Sequence, residues 1–475
     1  MKFEGRVFGA ALAMGLAAST VPAGAMSLRE AVVEALTSNP EVLQAAENRE
    51  AVEFELRQAK GLFLPTIDLE SSAGVTRLDS PSRRRLGTAG DELYPAEVGI
   101  SLNQTLFDGG GRRAELERQA ARVDGASFRV LERSEVIALK VVQEYLEILL
   151  QAEIVKATAD NLGVLQGVAG DISQIAESGA TTETDGIQAR ERILAAKARL
   201  KEATEDLKAA KIRFQRLVGQ DIGKASFPSS VRNALPPSIE AAIEIARAQN
   251  PSLAATGADV DAADAMVRGA RSAYLPTVSL QGRAFAGDDI DGSEGNNHGL
   301  EAKVVARWNL YRGGQAAAKE QGRIRRASEQ RLAMHQAYRE VEESIRTAWN
   351  RRQMRSELAG TLKQQASANS QLVSGYREQF KVGQRSLLDV LDAQNTRYNV
   401  NVLSKTAAYA AVFEEYRILA ATGSLARTMG AATVPQGEAY ARQEFGVVSD
   451  ANPAYKRQPS RQVKDLPLDL LAPIR

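Results

Sequence analysis

The chain repeats itself. Residues 27–69 read SLREAVVEALTSNPEVLQ…AKGLFLPTIDL, and residues 238–280 read SIEAAIEIARAQNPSLAA…ARSAYLPTVSL. Asn39-Pro40 matches Asn250-Pro251, and Leu64-Pro65-Thr66 matches Leu275-Pro276-Thr277, both at an offset of 211. Further on, the run from Leu106 to Gly110 matches that from Leu310 to Gly314 at an offset of 204. Gly179 with Gly383, Asp185 with Asp389, and Gly219 with Gly423 keep that second offset. The drop of seven places a length difference between Leu69 and Leu106, and such differences collect in loops. A duplicated unit of this size means that one supersecondary plan is built twice and packed against itself.

Each copy has the same order: a helix broken at Asn-Pro, a Leu-Pro-Thr stop, a period-2 segment, a loop, and a second period-2 segment. A Gly-Gly pair then opens a very long helix, a glycine turn follows, and a last helix ends at the closing glycine. The organisation expected is a signal peptide at 1–25, a first repeat at 26–219, a linker at 220–237, a second repeat at 238–423 and a partly irregular tail at 424–475. The N-terminus carries Lys2 and Arg6, then an apolar stretch from Val7 to Ala18, then Ala23-Gly24-Ala25. That pattern reads as a secretory signal cut after Ala25, because the apolar run is too short for a membrane anchor.

Strands are expected at about 66–76, 96–106, 277–286 and 300–310. Ile67, Leu69, Val98, Ile100, Leu280, Ala302 and Val304 alternate there with polar residues. Ten or so alternating residues suffice for a tilted strand to cross a bilayer. Aromatics sit at matching strand ends: Phe63 with Tyr274, and Phe107 with Tyr311, with Trp308 close by. An interfacial aromatic belt belongs in such places. Four strands cannot close a membrane barrel, since lipid leaves both sheet edges unsatisfied. Copies must therefore join, and three would supply twelve strands. Proline-free helices are expected at 112–178 and 315–381, each on the order of 100 Å long. Their partners are expected at 185–218 and 385–421. The apolar stripe of the first is coiled-coil-like, interrupted once near Ser134.

Several functions lack their residues. The chain has no cysteine and only two histidines, His298 and His335. Thiolate chemistry is excluded and a zinc cluster is not expected. Net charge is +1, which gives no reason to expect nucleic acid. The Gly-Gly pairs lack phosphate-loop spacing, and no nucleophile–base pair stands out, so the chain is not expected to be an enzyme or to bind a cofactor. A periplasmic coiled-coil adaptor or scaffold is the competing class, and the amphipathic strands argue against it.

Residues 27–423 resemble the TolC family of outer-membrane efflux and secretion proteins. The repeat carries the resemblance, together with the Asn-Pro and Leu-Pro-Thr pairs, the Gly-Gly pairs, and the run VGQRSLLDVLDAQ from Val382 to Gln394. The fold this implies is an α+β membrane protein: a homotrimer with a twelve-stranded outer-membrane β-barrel, four strands per chain, continued by a long helical periplasmic barrel. An equatorial belt would use 220–237 and part of the tail. The implied partners are outer-membrane lipid, a periplasmic adaptor and an inner-membrane ABC or other transporter. In the family, the run at 382–394 forms the periplasmic entrance. Asp389 and Asp392 match aspartates at its constriction, Arg385 matches an arginine linking neighbouring helices, and Thr184 and Asp185 match that arginine's partners. Gly179 and Gly383 are the turn glycines. Phe380 stands where the best-known member has a linking tyrosine, so one hydrogen bond would be missing. Asp389 and Asp392 share a helix face, and a ring of such carboxylates selects for cations. The SLLDVLDAQ run and the absence of a lipid-bearing cysteine point to type I protein secretion as cargo route. Small-molecule efflux is the alternative.

Overall fold

The computed structural model describes residues 25–177, 183–292, 294–431, 434–449 and 451. Gly179, residues 1–24 of the expected signal peptide, and the tail from 452 lie outside the described residues.

The first copy opens with α1 (Leu28–Ser38) and α2 (Pro40–Gly61). Ser27 and Glu30 form a capping box that satisfies the backbone at the start of α1. Asn39 both ends α1 and caps α2, accepting from the Glu41 N–H, while Pro40 takes the first helical position where no N–H is needed. The second copy repeats the device. There α5 (Ile239–Gln249) meets α6 (Pro251–Arg271) at Asn250, preceded in the chain by the long helix α3 (Gly111–Glu177) and its partner α4 (Glu183–Val218). The Asn39 amide donates to the Leu217 carbonyl at 2.9 Å, and the Asn250 amide to the Ala421 carbonyl at 2.8 Å. Each Asn-Pro break is thus tied to the closing turn of its own copy.

The four strands form one antiparallel sheet. Its order is β1 (Thr66–Ala73), β2 (Ala96–Phe107), β3 (Thr277–Asp288) and β4 (Asn296–Arg307), so the two copies meet at β2 and β3. The strand expected at 66–76 stops at Ala73. Pro95 stands beyond the last rung, Ala73 opposite Ala96, and has no N–H for the ladder. Thr76–Arg77 instead pairs with Glu92–Leu93, and a short helix, Pro81–Leu86, fills the loop expected between them. The second hairpin extends beyond 277–286 and 300–310 at its loop end. Its last rungs, Gly287 with Asn297 and Asp288 with Asn296, are polar or bare, and alternation of apolar residues cannot mark them. At the other end β4 stops at Arg307.

Register decides which side chains share a face. Ile67 lies opposite Leu102 and Leu69 opposite Ile100. Ile100 lies opposite Ala284, and Ala284 opposite Leu300; Leu280 lies opposite Val304. One face is therefore apolar across all four strands. The other carries Asp68, Glu70, Glu97, Arg283, Glu301 and Lys303. Phe285 sits on that polar face with its ring against Gly299, where an added Cβ would come within 2.6 Å of the ring.

The second long helix, α7 (Gln315–Lys381), equals α3 in length at 67 residues, about 100 Å. It turns into α8 (Leu387–Ala421). Along α4 the buried residues Ala189, Ala196, Ala203 and Ala210 recur every seventh position, the spacing of a coiled-coil seam. At mid-length, α1, α3, α4 and α8 bury Val32, Ile137, Tyr145, Phe214, Tyr416 and Leu419 in one core. The Tyr145 hydroxyl lies 2.9 Å from the carbonyls of Met26 and Ser226 and accepts from the Ser226 N–H at 3.1 Å. It thereby stitches the linker strand Lys224–Ala225 beside Ala25–Met26.

The interruption near Ser134 has a structural cause. Ser134 and Glu135 are buried where the chain after α8 docks on α3. The Leu425 and Ala426 N–H groups donate to Glu135 at 3.0 and 3.1 Å. Burial pushes the Glu135 carboxyl up to about 7, against the pull of those two donors and Arg427. A raised carboxyl pKa means that the folded state prefers the proton. The stability it contributes is present below the usual 4.5 and is lost as pH rises through about 7. The unfolding midpoint of the wild type should therefore fall relative to that of Glu135→Gln across this window. Parallel midpoints at every pH would contradict it.

Candidate functional site

The turn between α7 and α8 is built by backbone rules. Gly383 has φ +74°, a left-handed conformation that a side chain would strain. Its N–H donates to the Phe380 carbonyl at 3.0 Å and that of Gln384 to the Gln379 carbonyl at 2.9 Å, the paired bonds of a Schellman motif. Ser386 then caps α8, accepting from the Asp389 N–H at 3.2 Å and donating to the Asp389 carboxylate at 2.8 Å. Asp389 thus has a local role in starting the helix as well as a charge to present.

Arg385 lies across this turn. Its guanidinium stacks 4.2 Å from the centre of the Tyr376 ring, Nε donates to Gln379 at 3.2 Å, and Nη1 stands 3.8 Å from Asp389 Oδ2. All three contacts stay within its own helical hairpin. Thr184 is exposed and Asp185 half-buried in the first turn of α4. Gly179 lies outside the described residues. Asp392 is more open than Asp389, at 61% side-chain exposure, and Arg192 of α4 approaches it at 3.7 Å. Phe380 and Tyr376 pack on a core of Leu165, Val168, Ile172, Leu387, Val390 and Leu391. The tyrosine that serves this turn is therefore Tyr376, one helical turn before Phe380.

Three polar contacts that pattern reading missed hold this region to α3. Gln394 donates to Asn161 at 2.7 Å in a buried setting, Thr158 and Tyr398 share a hydrogen bond at 2.9 Å, and Arg377 donates to Asp171 at 2.7 Å. A buried amide pair between helices sets their register, because any slip leaves it unpaired. Of these, only Gln394 belongs to the 382–394 run; the partners in all three contacts lie more than 200 residues away.

At the opposite end, the five aromatics gather at one end of the sheet: before β1 and β3, at the last residue of β2, and after β4. Phe63, Phe107, Tyr274, Trp308 and Tyr311 are all 40% exposed or more. The Trp308 indole donates to the Tyr274 carbonyl at 3.1 Å, and the Tyr274 hydroxyl donates to Glu320 at 3.1 Å. Arg112 stacks on Phe63 at 4.9 Å and donates to the Thr105 carbonyl at 2.8 Å, while Asp108 accepts from its N–H at 2.7 Å. This joint passes the sheet into α3. Among the described residues no helix is long and apolar enough to cross a membrane.

The family model for outer membrane efflux proteins matches residues 31–220 and 242–424, one block on each copy of the repeat. The chain is similar to the outer membrane efflux protein BepC of Brucella suis biovar 1 (strain 1330), 27% identical over 419 residues, covering 86% of this chain and 89% of BepC. It is similar to the outer membrane protein TolC of Escherichia coli (strain K12), 23% identical over 420 residues, covering 84% and 83%. The alkaline protease secretion protein AprF of Pseudomonas aeruginosa is 26% identical over 394 residues, covering 80% and 81%. Among solved structures, CusC superposes with a TM-score of 0.73 at 16% identity, over 85% of this chain and 92% of that one. The CmeC outer membrane channel of Campylobacter jejuni gives 0.72 at 18% identity, over 84% and 86%. The fold is that of these channels. The chain belongs to the outer membrane efflux protein family, the TolC family, and is a protein of the outer membrane that reaches into the periplasm.

Proposed function

We propose that the chain is one subunit of a homotrimeric exit duct, a passive conduit that docks with a periplasmic adaptor and an inner-membrane ABC or other transporter. The observation that carries this is the sheet: apolar on one face, polar on the other, with edges at β1 and β4 that no strand among the described residues pairs. Leu69, Val304 and Leu300 are 71%, 64% and 87% exposed in the single chain. Such a face is stable against hydrocarbon, and its edges are satisfied only by the edges of other copies. Three copies give twelve strands and a polar lumen. The long helix α7 supports the same reading. It buries Ala327, Met334, Ile345, Ala348 and Val373 but leaves Leu332, Met354, Leu358 and Leu372 more than 40% exposed, as a helix awaiting a neighbour would.

In this reading the α7–α8 turn lies at the periplasmic entrance, with Asp389 and Asp392 near the axis and Arg385, Thr184 and Asp185 among the links that close it. The family's transport work needs no catalytic residue, because the partner transporter supplies the energy and selects the cargo. Type I protein secretion is the cargo route we favour, on the run from Ser386 to Gln394. Small-molecule efflux is the second reading, and the relatives include proteins named for each. Deleting the gene separates them: loss of a secreted protein supports the first, and drug sensitivity with normal secretion supports the second.

The purified protein should give discrete conductance steps in a planar bilayer. Asp389→Asn with Asp392→Asn should weaken block by a trivalent cation by roughly tenfold or more. Unchanged block would remove the entrance assignment, and a protein that never inserts would remove the duct.

A further inference from the structure

Both aspartates of the α7–α8 tip have a guanidinium within 4 Å, but from different sources. Asp389 has Arg385, four residues before it at the same turn, at 3.8 Å. Asp392 has Arg192, from α4, at 3.7 Å. The repeat makes the second pairing unexpected. At the offset of 204, Asp392 corresponds to Gln188 and Arg192 to Thr396, so neither partner has a charged counterpart in the other copy. The pair joins α4 to α8 through positions that differ between the two copies.

We propose that Arg192 sets the ionic selectivity of the entrance by offsetting the charge of Asp392. The proposal rests on the entrance reading above. An exposed ion pair of this kind adds little to stability. Its effect on a passing ion is another matter, because that depends on the fixed charges inside a screening length of about 8–10 Å. A bare aspartate ring attracts cations and holds multivalent ones. A ring in which each Asp392 faces a guanidinium carries less net charge, and its attraction for cations is correspondingly weaker. Three chains would contribute three such pairs around the axis. The entrance would then favour cations less strongly than a bare ring of aspartates would, and admit cargo of either sign more readily. Glu191, whose carboxylate lies 3.6 Å from the same guanidinium, shares Arg192 with Asp392, so the offset of charge is partial.

Planar-bilayer recordings of the full protein test this with the reversal potential in a potassium chloride gradient and the half-blocking concentration of hexaamminecobalt(III). Arg192→Gln should shift the reversal potential toward cation selectivity and lower the half-blocking concentration by roughly tenfold. Arg192→Lys, which keeps the charge, should resemble wild type. Arg192→Gln with Asp392→Asn should return both readouts close to wild type. If Asp389→Asn with Asp392→Asn weakens the block but Arg192→Gln moves neither readout, the entrance reading stands and the role of Arg192 is overturned. If none of these variants moves either readout, both fall.

Discussion

Arg442→Ala should be among the most destabilising single substitutions in the chain, costing about 3–5 kcal/mol. Arg442 donates to Asp124 of α3 at 2.9 Å and to Asp261 of α6 at 2.7 Å. The Asp124 side chain is 4% exposed and that of Asp261 is 0%. Asp124 also accepts from the Ala441 N–H at 2.8 Å, and Asp261 from the Ser449 hydroxyl at 2.9 Å. Removing the guanidinium leaves two buried carboxylates without a cation, and the cost of an unpaired buried charge exceeds the net worth of the pair. The lesion would also be mechanical. Residues 434–449 lie as a strap across α3, and Arg442 is the point where it holds a first-copy helix to a second-copy helix. The unfolding midpoint in detergent should fall, and the strap should become a preferred site of limited proteolysis. Replacing Asp124, Asp261 and Arg442 together by apolar residues of similar size should restore most of the loss. A single variant as stable and protease-resistant as wild type would show that the cluster is not what holds the strap.

Arg385→Ser should open the resting channel. The substitution removes the stack on Tyr376, the hydrogen bond to Gln379 and the charge beside Asp389. Those contacts orient the guanidinium within its own hairpin; what would hold the closed state is its proposed link to Thr184 and Asp185, and an exposed charged link of that kind contributes roughly 1 kcal/mol in each chain. In the proposed trimer three such losses act on one closed state. About 3 kcal/mol shifts the closed-to-open ratio by roughly a hundredfold. Single-channel recording should show a higher mean conductance with the protein still assembled. Unchanged conductance would place the closing contacts elsewhere.

The sequence made the duplicated plan legible because each mark of it is a backbone requirement. Asn-Pro breaks, Leu-Pro-Thr stops and glycine turns keep their spacing in both copies. Both long helices begin within a residue of their expected starts and α7 ends where expected, since the Gly-Gly pairs and Gly383 leave little freedom; the end of α3 abuts residues outside those described. The strands were read from alternation, which works only where one face is apolar. It ran past Ala73, where Pro95 breaks the ladder, and stopped short of the polar rungs at Asp288 and Asn296. The entrance run was legible as a run, but the partners of its residues were not. Arg192 and Asp392 are separated by a long stretch of chain, and no local spacing relates them. The strap was least visible of all. The tail from Met429 read as irregular, and its described helical pieces, Pro435–Gly437 and Ala441–Glu444, are only a few residues long. What orders it is Arg442, whose contacts reach Asp124 across 318 positions and Asp261 across 181. The trace left in the sequence was indirect: the break in the α3 stripe at Ser134, where Glu135 receives the segment after α8.

The account depends most on three copies joining their sheet edges in lipid. The protein, extracted from membranes in mild detergent, should have the mass of three chains by light scattering and migrate as a trimer in unheated SDS gels. Boiling should collapse it to one chain. A polypeptide recovered without detergent as a water-soluble monomer would contradict the account at its root.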